Sequence, residues 1–137
     1  MRDLRYGIEI EMTGLSRGKA AETLAGFFGT RAEHTGGSYD AYAVRDAQGR
    51  VWKIVSDGSI QTQKKVRGQT VAADSTYSVE LVSPVCVYED IETIQEIVRA
   101  LRRNNALVND SCGIHVHVGA EKFDAQHLRN ITNIMAS

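Results

Sequence analysis

Three short stretches of this chain alternate apolar residues with acidic or imidazole residues. In "GIEIEM" the residues between the apolar positions are Glu9 and Glu11, and in "GIHVHV" they are His115 and His117. In "SVELVSP" the residue between Val and Leu is Glu80. Successive side chains of a β-strand point to opposite faces, so a period of two predicts half-buried strands. Each of these strands therefore has one apolar face and places acidic or imidazole groups on the other.

The rest of the chain predicts a mixture of strands, helices and loops. Strands are predicted over 6–12, 41–45, 50–55, 77–85 and 114–118. Helices are predicted over 19–28, over 89–107 and from Asp124 onward, where Leu128, Ile131, Ile134 and Met135 form the apolar stripe. Residues 30–42 are predicted as a loop, and 61–75 as a polar, mobile segment. Helices and strands do not alternate strictly, which favours an α+β fold with a largely antiparallel sheet.

Length and composition restrict the class of protein. A chain of 137 residues suits one domain, 1–137, and the formal net charge of -1 gives no general affinity for nucleic acid or membranes. The short basic stretch "QKKVRGQ" lacks interleaved aromatic residues and is interpreted as a solvated loop. No window matches a membrane helix or a signal peptide, so a cytoplasmic location is expected. Cys86 and Cys112 form no CxxC pair and are expected to be free thiols.

The acidic and imidazole positions together favour a metal site. Residues i and i+2 on a strand lie about 6.5 to 7 Å apart, which is too far to share a proton tightly but suits binding to one or two cations. Each motif alone is typical of a solvent-exposed or structural strand face. Carboxylates gathered on one face repel one another unless a cation lies between them. Oxygen and imidazole ligands suit Mg²⁺ or Mn²⁺ better than structural zinc.

The stretch "SDGSI" contains a further carboxylate, Asp57. Asp followed by Gly is a turn signal, and a simple turn is one interpretation. The other is a loop carboxylate presented to a substrate amine or to a metal-bound ligand.

The motifs "YGIEIE", "DGSI", "VELVSPV" and "CGIHVHVG", in this order, resemble the amidoligase family. These are ATP-dependent carboxylate–amine ligases related to glutamine synthetase and glutamate–cysteine ligase. The resemblance spans residues 6 to about 119. It implies a glutamine-synthetase-like fold, with a curved antiparallel sheet, helices on its outer face, and Mg²⁺ (or Mn²⁺) and ATP on its inner face.

The resemblance also implies roles for individual residues. It implies four metal ligands: Glu9, Glu11, Glu80 and His115. His117 matches a histidine that approaches the ATP phosphates, and Asp57 matches a catalytic acidic residue near the attacking amine. The implied reaction forms an acyl phosphate from a carboxylate and ATP, and an amine then displaces phosphate to give an amide.

Family members are usually longer, and their later portion supplies basic residues for the phosphates. The chain is therefore expected to be the N-terminal portion of an amidoligase-like catalytic domain, possessing the metal-binding half. Its own basic residues that could substitute match no family motif: Arg45, Lys53, Lys64, Lys65 and Arg67. The expected partners are small-molecule or peptide carboxylates and amines and a second copy of the chain, with neither nucleic acid nor membrane.

Two alternatives remain open on the sequence. One is a cupin-like metal-binding protein, since "HVHVGAE" has an H-x-H-x-x-x-E spacing that makes Glu121 a candidate ligand. The other is a truncated, non-catalytic ligase-like module that binds a partner or a peptide. His34 and His127 are interpreted as a loop residue and an exposed helix residue.

Overall fold

The computed structural model describes residues 4–119, and within that range an antiparallel sheet packs against two helices. The strands are β1 (Arg5–Met12), β2 (Ala32–Gly36), β3 (Ala41–Arg45), β4 (Val51–Val55), β5 (Gln63–Val66), β6 (Gln69–Ala72), β7 (Val79–Val82), β8 (Cys86–Val87) and β9 (Ile114–Val118). The helices are α1 (Arg17–Phe28) and α2 (Ile91–Arg103). The predicted α+β class and the largely antiparallel sheet are confirmed.

The seven-stranded sheet has the order β2-β3-β4-β7-β1-β8, with β9 also pairing with β1, while β5 and β6 pair only with each other. Strands β7 and β8 lie along one edge of β1, and β9 lies along the other. Between β7 and β8 the ladder is interrupted at 83–85, where the Ser83 hydroxyl accepts a hydrogen bond from the Ile8 N–H at 2.9 Å. Pro84 has no N–H to donate, which explains why the predicted strand over 77–85 ends at Val82.

The apolar face of the sheet and both helices share one core. The buried apolar residues of β1, every second residue from Tyr6 to Met12, belong to the same cluster as Leu24 of α1 and Ile94 of α2. Trp52 of β4 is fully buried in that cluster. The period-two prediction is therefore confirmed for β1, and the opposite face of this strand presents its carboxylates.

Helix α1 begins two residues earlier than predicted. The Ser16 hydroxyl caps it by accepting a hydrogen bond from the Lys19 N–H, and Gly29, with φ 72°, ends it in the left-handed region. Helix α2 is shorter than the predicted 89–107. A 3-10 turn precedes it, and it ends before Asn105, whose φ is 81°.

Two predictions of irregular structure are wrong. Residues 32–36, predicted as loop, form β2, which pairs with β3 at the edge of the sheet. Within 61–75, β5 and β6 form a hairpin whose turn places Arg67 and Gly68 at φ 53° and 79°. Both regions are largely exposed, so neither shows the apolar alternation that identifies a strand.

The predicted helix from Asp124 onward lies outside the described residues, as do Glu121 and His127. Neither described helix is long and apolar enough to cross a membrane.

Candidate metal centre

The polar face of the sheet gathers the predicted acidic and imidazole residues. Glu11 of β1 is directly opposite Glu80 of β7, and Glu9 of β1 is opposite His115 of β9. These pairings follow from the antiparallel register, since residues directly opposite each other project to the same face. The acidic and imidazole residues of the three sequence motifs therefore project from the same face of the sheet.

Asp57 joins this face from the turn that follows β4. The Ile60 N–H donates to the Asp57 carbonyl at 3.1 Å, which closes the turn that "SDGSI" predicts. The Ser59 N–H and hydroxyl both donate to Asp57 Oδ1, at 2.9 and 2.7 Å. This leaves Oδ2 as the carboxylate oxygen that Ser59 does not engage.

Glu11, Asp57 and Glu80 form a compact cluster, which we call the carboxylate cluster. Each offers a ligand oxygen, and these oxygens lie within 4.8 Å of one another. Glu11 is only 6% exposed, and Glu80 is half-buried. Three different elements therefore bring three carboxylates to a site of restricted solvent access.

The pKa values of the cluster show that ionising all three carboxylates together is unfavourable. Desolvation, followed by the hydrogen bond with Asp57 and by the neighbouring charges, raises the pKa of Glu80 to about 7. Desolvation and Asp57 also raise the pKa of Glu11. In contrast, the Ser59 N–H and the hydrogen bond with Glu11 lower the pKa of Asp57 to about 2. Asp57 is thus the fixed negative charge of the cluster, and Glu80 the member that most readily holds a proton.

A divalent cation fits this donor set. In the part of the chain that the structure describes, no lysine or arginine forms an ion pair with any of the three carboxylates. Close carboxylates are stabilised by a cation between them, and carboxylate oxygens are the ligands that Mg²⁺ and Mn²⁺ prefer. Without thiolate ligands, the cluster does not resemble a structural zinc site.

A second group lies beside the cluster, and we call it the histidine group. Glu9 Oε1 is 3.8 Å from His115 Nδ1 and 3.5 Å from His117 Nε2. Both imidazoles are largely exposed, so a ligand in solvent can reach them. One oxygen and two nitrogen donors make this group suitable for a cation or, with protonated imidazoles, for an anion.

Gly113 links the two groups, a role that the sequence analysis missed. Its N–H donates to Glu11 Oε1 at 2.8 Å. A Cβ at this position would lie 3.6 Å from Glu11 Oε1 and 3.9 Å from His115 Nε2. The backbone of the loop before β9 thus contacts the carboxylate cluster directly. A backbone donor has no residue signature, so no sequence pattern could have identified it.

Among the other candidates, Lys53 of β4 is opposite Val82, which is opposite Glu9, so Lys53 projects to the same face of the sheet. Lys64 packs over the Tyr77 ring, 5.5 Å from its centroid. His34, predicted in a loop, lies on β2 and contacts Asp40 at 2.6 Å. Cys86 and Cys112 are free thiols, as predicted.

One of three comparisons with known proteins found a match for the chain. A family model described as "Putative amidoligase enzyme" matches residues 2–137. No curated protein and no solved structure matches the chain. Because the family model covers nearly the whole chain, the chain belongs to the amidoligase family.

Proposed function

We propose that this protein is an ATP- and Mg²⁺-dependent carboxylate–amine ligase that forms an amide through an acyl phosphate. The observation that carries the proposal is the carboxylate cluster, in which Glu11, Asp57 and Glu80 converge within 4.8 Å. The family of the chain supports amide formation as the reaction.

The two groups of side chains suggest two cation positions. Glu11 and Glu80, with Asp57 beside them, would hold one Mg²⁺ through oxygen ligands. Glu9 and His115 would hold a second through mixed oxygen and nitrogen ligands. Bound there, Mg²⁺ would supply the positive charge that neutralises nucleotide phosphates during phosphoryl transfer.

The proposed reaction has two steps. A substrate carboxylate oxygen attacks the γ-phosphorus of ATP, the bond to the bridging oxygen breaks, and ADP leaves. The amine nitrogen then attacks the acyl carbon and inorganic phosphate leaves, while the proton of the amine passes to a base. The protein mainly positions the reactants, because phosphoryl transfer depends on alignment and charge stabilisation.

Asp57 and His117 have distinct proposed roles. The pKa of Asp57 lies at about 2, so this side chain stays ionised and can attract the ammonium form of the amine as well as a cation. His117 is exposed beside Glu9 and can donate to a phosphate oxygen through a ring N–H. Both roles place the reacting groups above the polar face of the sheet.

The proposal also includes the fold family, the substrates and the cellular location. A glutamine-synthetase-like arrangement would place ATP on the polar face and the helices on the opposite one. Its remaining partners would be small-molecule or peptide carboxylates and amines in the cytoplasm. The cationic side chains for the phosphates would come from outside the carboxylate cluster, where none is paired with it among residues 4–119.

Isothermal titration of ATP in the presence of Mg²⁺ tests the proposal. The parent protein should release heat on titration, and Glu11→Ala and His115→Ala should weaken binding at least tenfold. ADP formation is then measured with panels of amino acids and short peptides as carboxylate and amine.

Glu22→Ala, on the exposed side of α1, is the control and should bind ATP like the parent. Absence of heat from the parent protein would contradict the proposal. Equal binding by the parent and both site variants would show that ATP binds elsewhere.

A further inference from the structure

We infer that Ser78, supported by Arg17, is a positioning residue that holds Asp57 in the carboxylate cluster. The inference rests on the proposed function, because it concerns the geometry of the proposed cation site. Ser78 is the first residue of "SVELVSP", where only Glu80 was given a role, and Arg17 belongs to none of the sequence motifs.

The Ser78 hydroxyl binds both polar groups of the Asp57 backbone. The Asp57 N–H donates to Ser78 Oγ at 2.8 Å, and Ser78 Oγ donates to the Asp57 carbonyl at 2.7 Å. Ser78 is 4% exposed, so water cannot readily replace its hydroxyl. One side chain therefore fixes the residue whose carboxylate reaches Glu11 and Glu80.

Ser78 also lies two residues before Glu80, immediately before β7. The position of Ser78 thus determines the distance between Asp57 on its turn and Glu80 on its strand. A shift of the Ser78 backbone would move the two carboxylates relative to each other.

Arg17 holds that backbone in place. Its guanidinium donates from Nη1 to the Ser78 carbonyl at 2.9 Å and to the Ser75 carbonyl at 2.6 Å. From Nη2 it donates to Asp40 Oδ2 at 2.8 Å, and from Nε to the Asp40 carbonyl at 3.3 Å.

Arg17 is 5% exposed, and an arginine is rarely buried without such a full set of partners. The turn that contains Asp40 contributes as well. The neighbouring Tyr39 carbonyl accepts a hydrogen bond from the Ser56 N–H at 3.1 Å, one residue before Asp57. The backbone of Ser56 and of Asp57 is therefore held by residues that are connected to Arg17. No contact between Arg17 and the cluster is needed for this effect.

Ser83 provides a matched control at the other end of β7. Its hydroxyl also accepts from a backbone N–H, that of Ile8 at 2.9 Å, and donates to a backbone carbonyl, that of Pro84 at 2.8 Å. Ser83→Ala therefore removes an equivalent pair of side-chain to backbone hydrogen bonds, neither of which involves Asp57.

Amide hydrogen exchange of the metal-free protein tests the inference directly. Ser78→Ala should accelerate exchange at Asp57 at least tenfold, and Ser83→Ala should accelerate exchange at Ile8 and leave Asp57 unchanged. Ser78→Thr, which retains the hydroxyl, should preserve protection. Arg17→Lys keeps the charge but loses the fork of donors, and should also accelerate exchange at Asp57. Unchanged protection of Asp57 in Ser78→Ala and in Arg17→Lys would overturn the inference.

Binding of Mn²⁺ alone, followed by electron paramagnetic resonance, is the second measurement. Ser78→Ala should lower Mn²⁺ affinity about tenfold, as is usual when a residue that orients a ligand is removed. Ser83→Ala should lower it less than twofold. If the parent protein binds no Mn²⁺, the proposed function fails, while the exchange measurement still decides whether Ser78 positions Asp57. If the parent binds Mn²⁺ and Ser78→Ala binds it equally well, the inference fails and the proposed function stands.

Discussion

Glu11 and Glu80 lie directly opposite each other on the neighbouring antiparallel strands β1 and β7, and Asp57 lies against both. Like charges at opposed positions of a sheet destabilise it, and partial burial increases the cost. In the metal-free protein Glu80 responds by holding its proton, since its pKa is raised from 4.5 to about 7. The site therefore lowers the stability of the fold, as is common where charges are gathered for binding.

Glu80→Gln should stabilise the metal-free protein at pH 8. A folded-state pKa above the unfolded value means that the contribution of Glu80 to stability is fully present below about pH 4.5 and is lost as the pH rises through about 7. Glutamine does not ionise, so the gain should be on the order of 1 kcal/mol at pH 8 and should shrink towards pH 5.

Thermal unfolding in the presence of a chelator measures this difference. Glu96→Gln, on the exposed side of α2, is the control and should change stability little at either pH. A Glu80→Gln protein no more stable than the parent at pH 8 would contradict the prediction.

A second charged cluster, around Arg50, should determine stability in acid. Arg50 donates to both oxygens of Asp90 at 2.9 Å and to Asp46 Oδ2 at 2.9 Å. The hydrogen bond from Arg50 lowers the pKa of Asp90. Desolvation opposes the change at Asp46, but hydrogen bonds from Trp52 and Arg50 lower its pKa as well. Because both folded-state pKa values are depressed, the stabilisation is present above about pH 4 and is lost as the pH falls through them.

Arg50→Met should cost about 3 kcal/mol at pH 7, because it leaves two partly buried carboxylates unpaired. The Arg50→Met protein should also lose less stability than the parent as the pH falls below about 4. Trp52, the only tryptophan in the chain, donates to Asp46 at 3.0 Å, so its fluorescence follows unfolding in urea close to the cluster. An Arg50→Met protein as stable as the parent at pH 7 would refute this account.

The sequence predicted the sheet best where one face is buried. Strands β1 and β9 show period-two alternation because their apolar residues meet the core, and their pairing aligns Glu9 with His115. Strand β2 and the β5–β6 hairpin bury little, so no apolar pattern identified them. The turn of the hairpin was also hard to predict, because Arg67 has φ 53° and a non-glycine residue gives no sequence signal for positive φ.

The ionisable residues of the candidate site could be predicted from the sequence, but the residues that hold them in place could not. Glu9, Glu11 and Glu80 stood out because charged residues interrupt apolar strands. Asp57 was identified, yet its place between Glu11 and Glu80 depends on the Ser78 hydroxyl, a contact across 21 residues of chain. Such long-range contacts leave no local spacing to detect.

Two glycines in the chain should respond oppositely to alanine. Gly14 has φ 92°, and a Cβ there would overlap the Asn105 carbonyl oxygen and lie 2.7 Å from Leu107 Cγ. Gly14→Ala should destabilise the protein by about 3 kcal/mol. Gly26, inside α1, has open space at the Cβ position, so Gly26→Ala should stabilise by about 0.5 to 1 kcal/mol. Urea unfolding of the two variants measures both effects, and a stable Gly14→Ala protein would show that the turn after β1 is looser than described.

Glu9 and Glu11 should affect different cations, although only one residue separates them. Glu11 faces Asp57 and Glu80, whereas Glu9 faces His115 and His117. Glu11→Gln should therefore weaken the ion bound by oxygen ligands, and Glu9→Gln the ion bound by mixed ligands. Each variant should retain one of two Mn²⁺ ions in a titration followed by electron paramagnetic resonance.

His115→Ala should resemble Glu9→Gln, and Asp57→Asn should resemble Glu11→Gln, because each pair shares a group. Glu22→Gln on α1 is the control and should retain both ions. Loss of both ions in either Glu9→Gln or Glu11→Gln would mean that one shared ion, or a tightly coupled pair, occupies the polar face. The carboxylate cluster and the histidine group would then be two groups of side chains that do not form two independent cation sites.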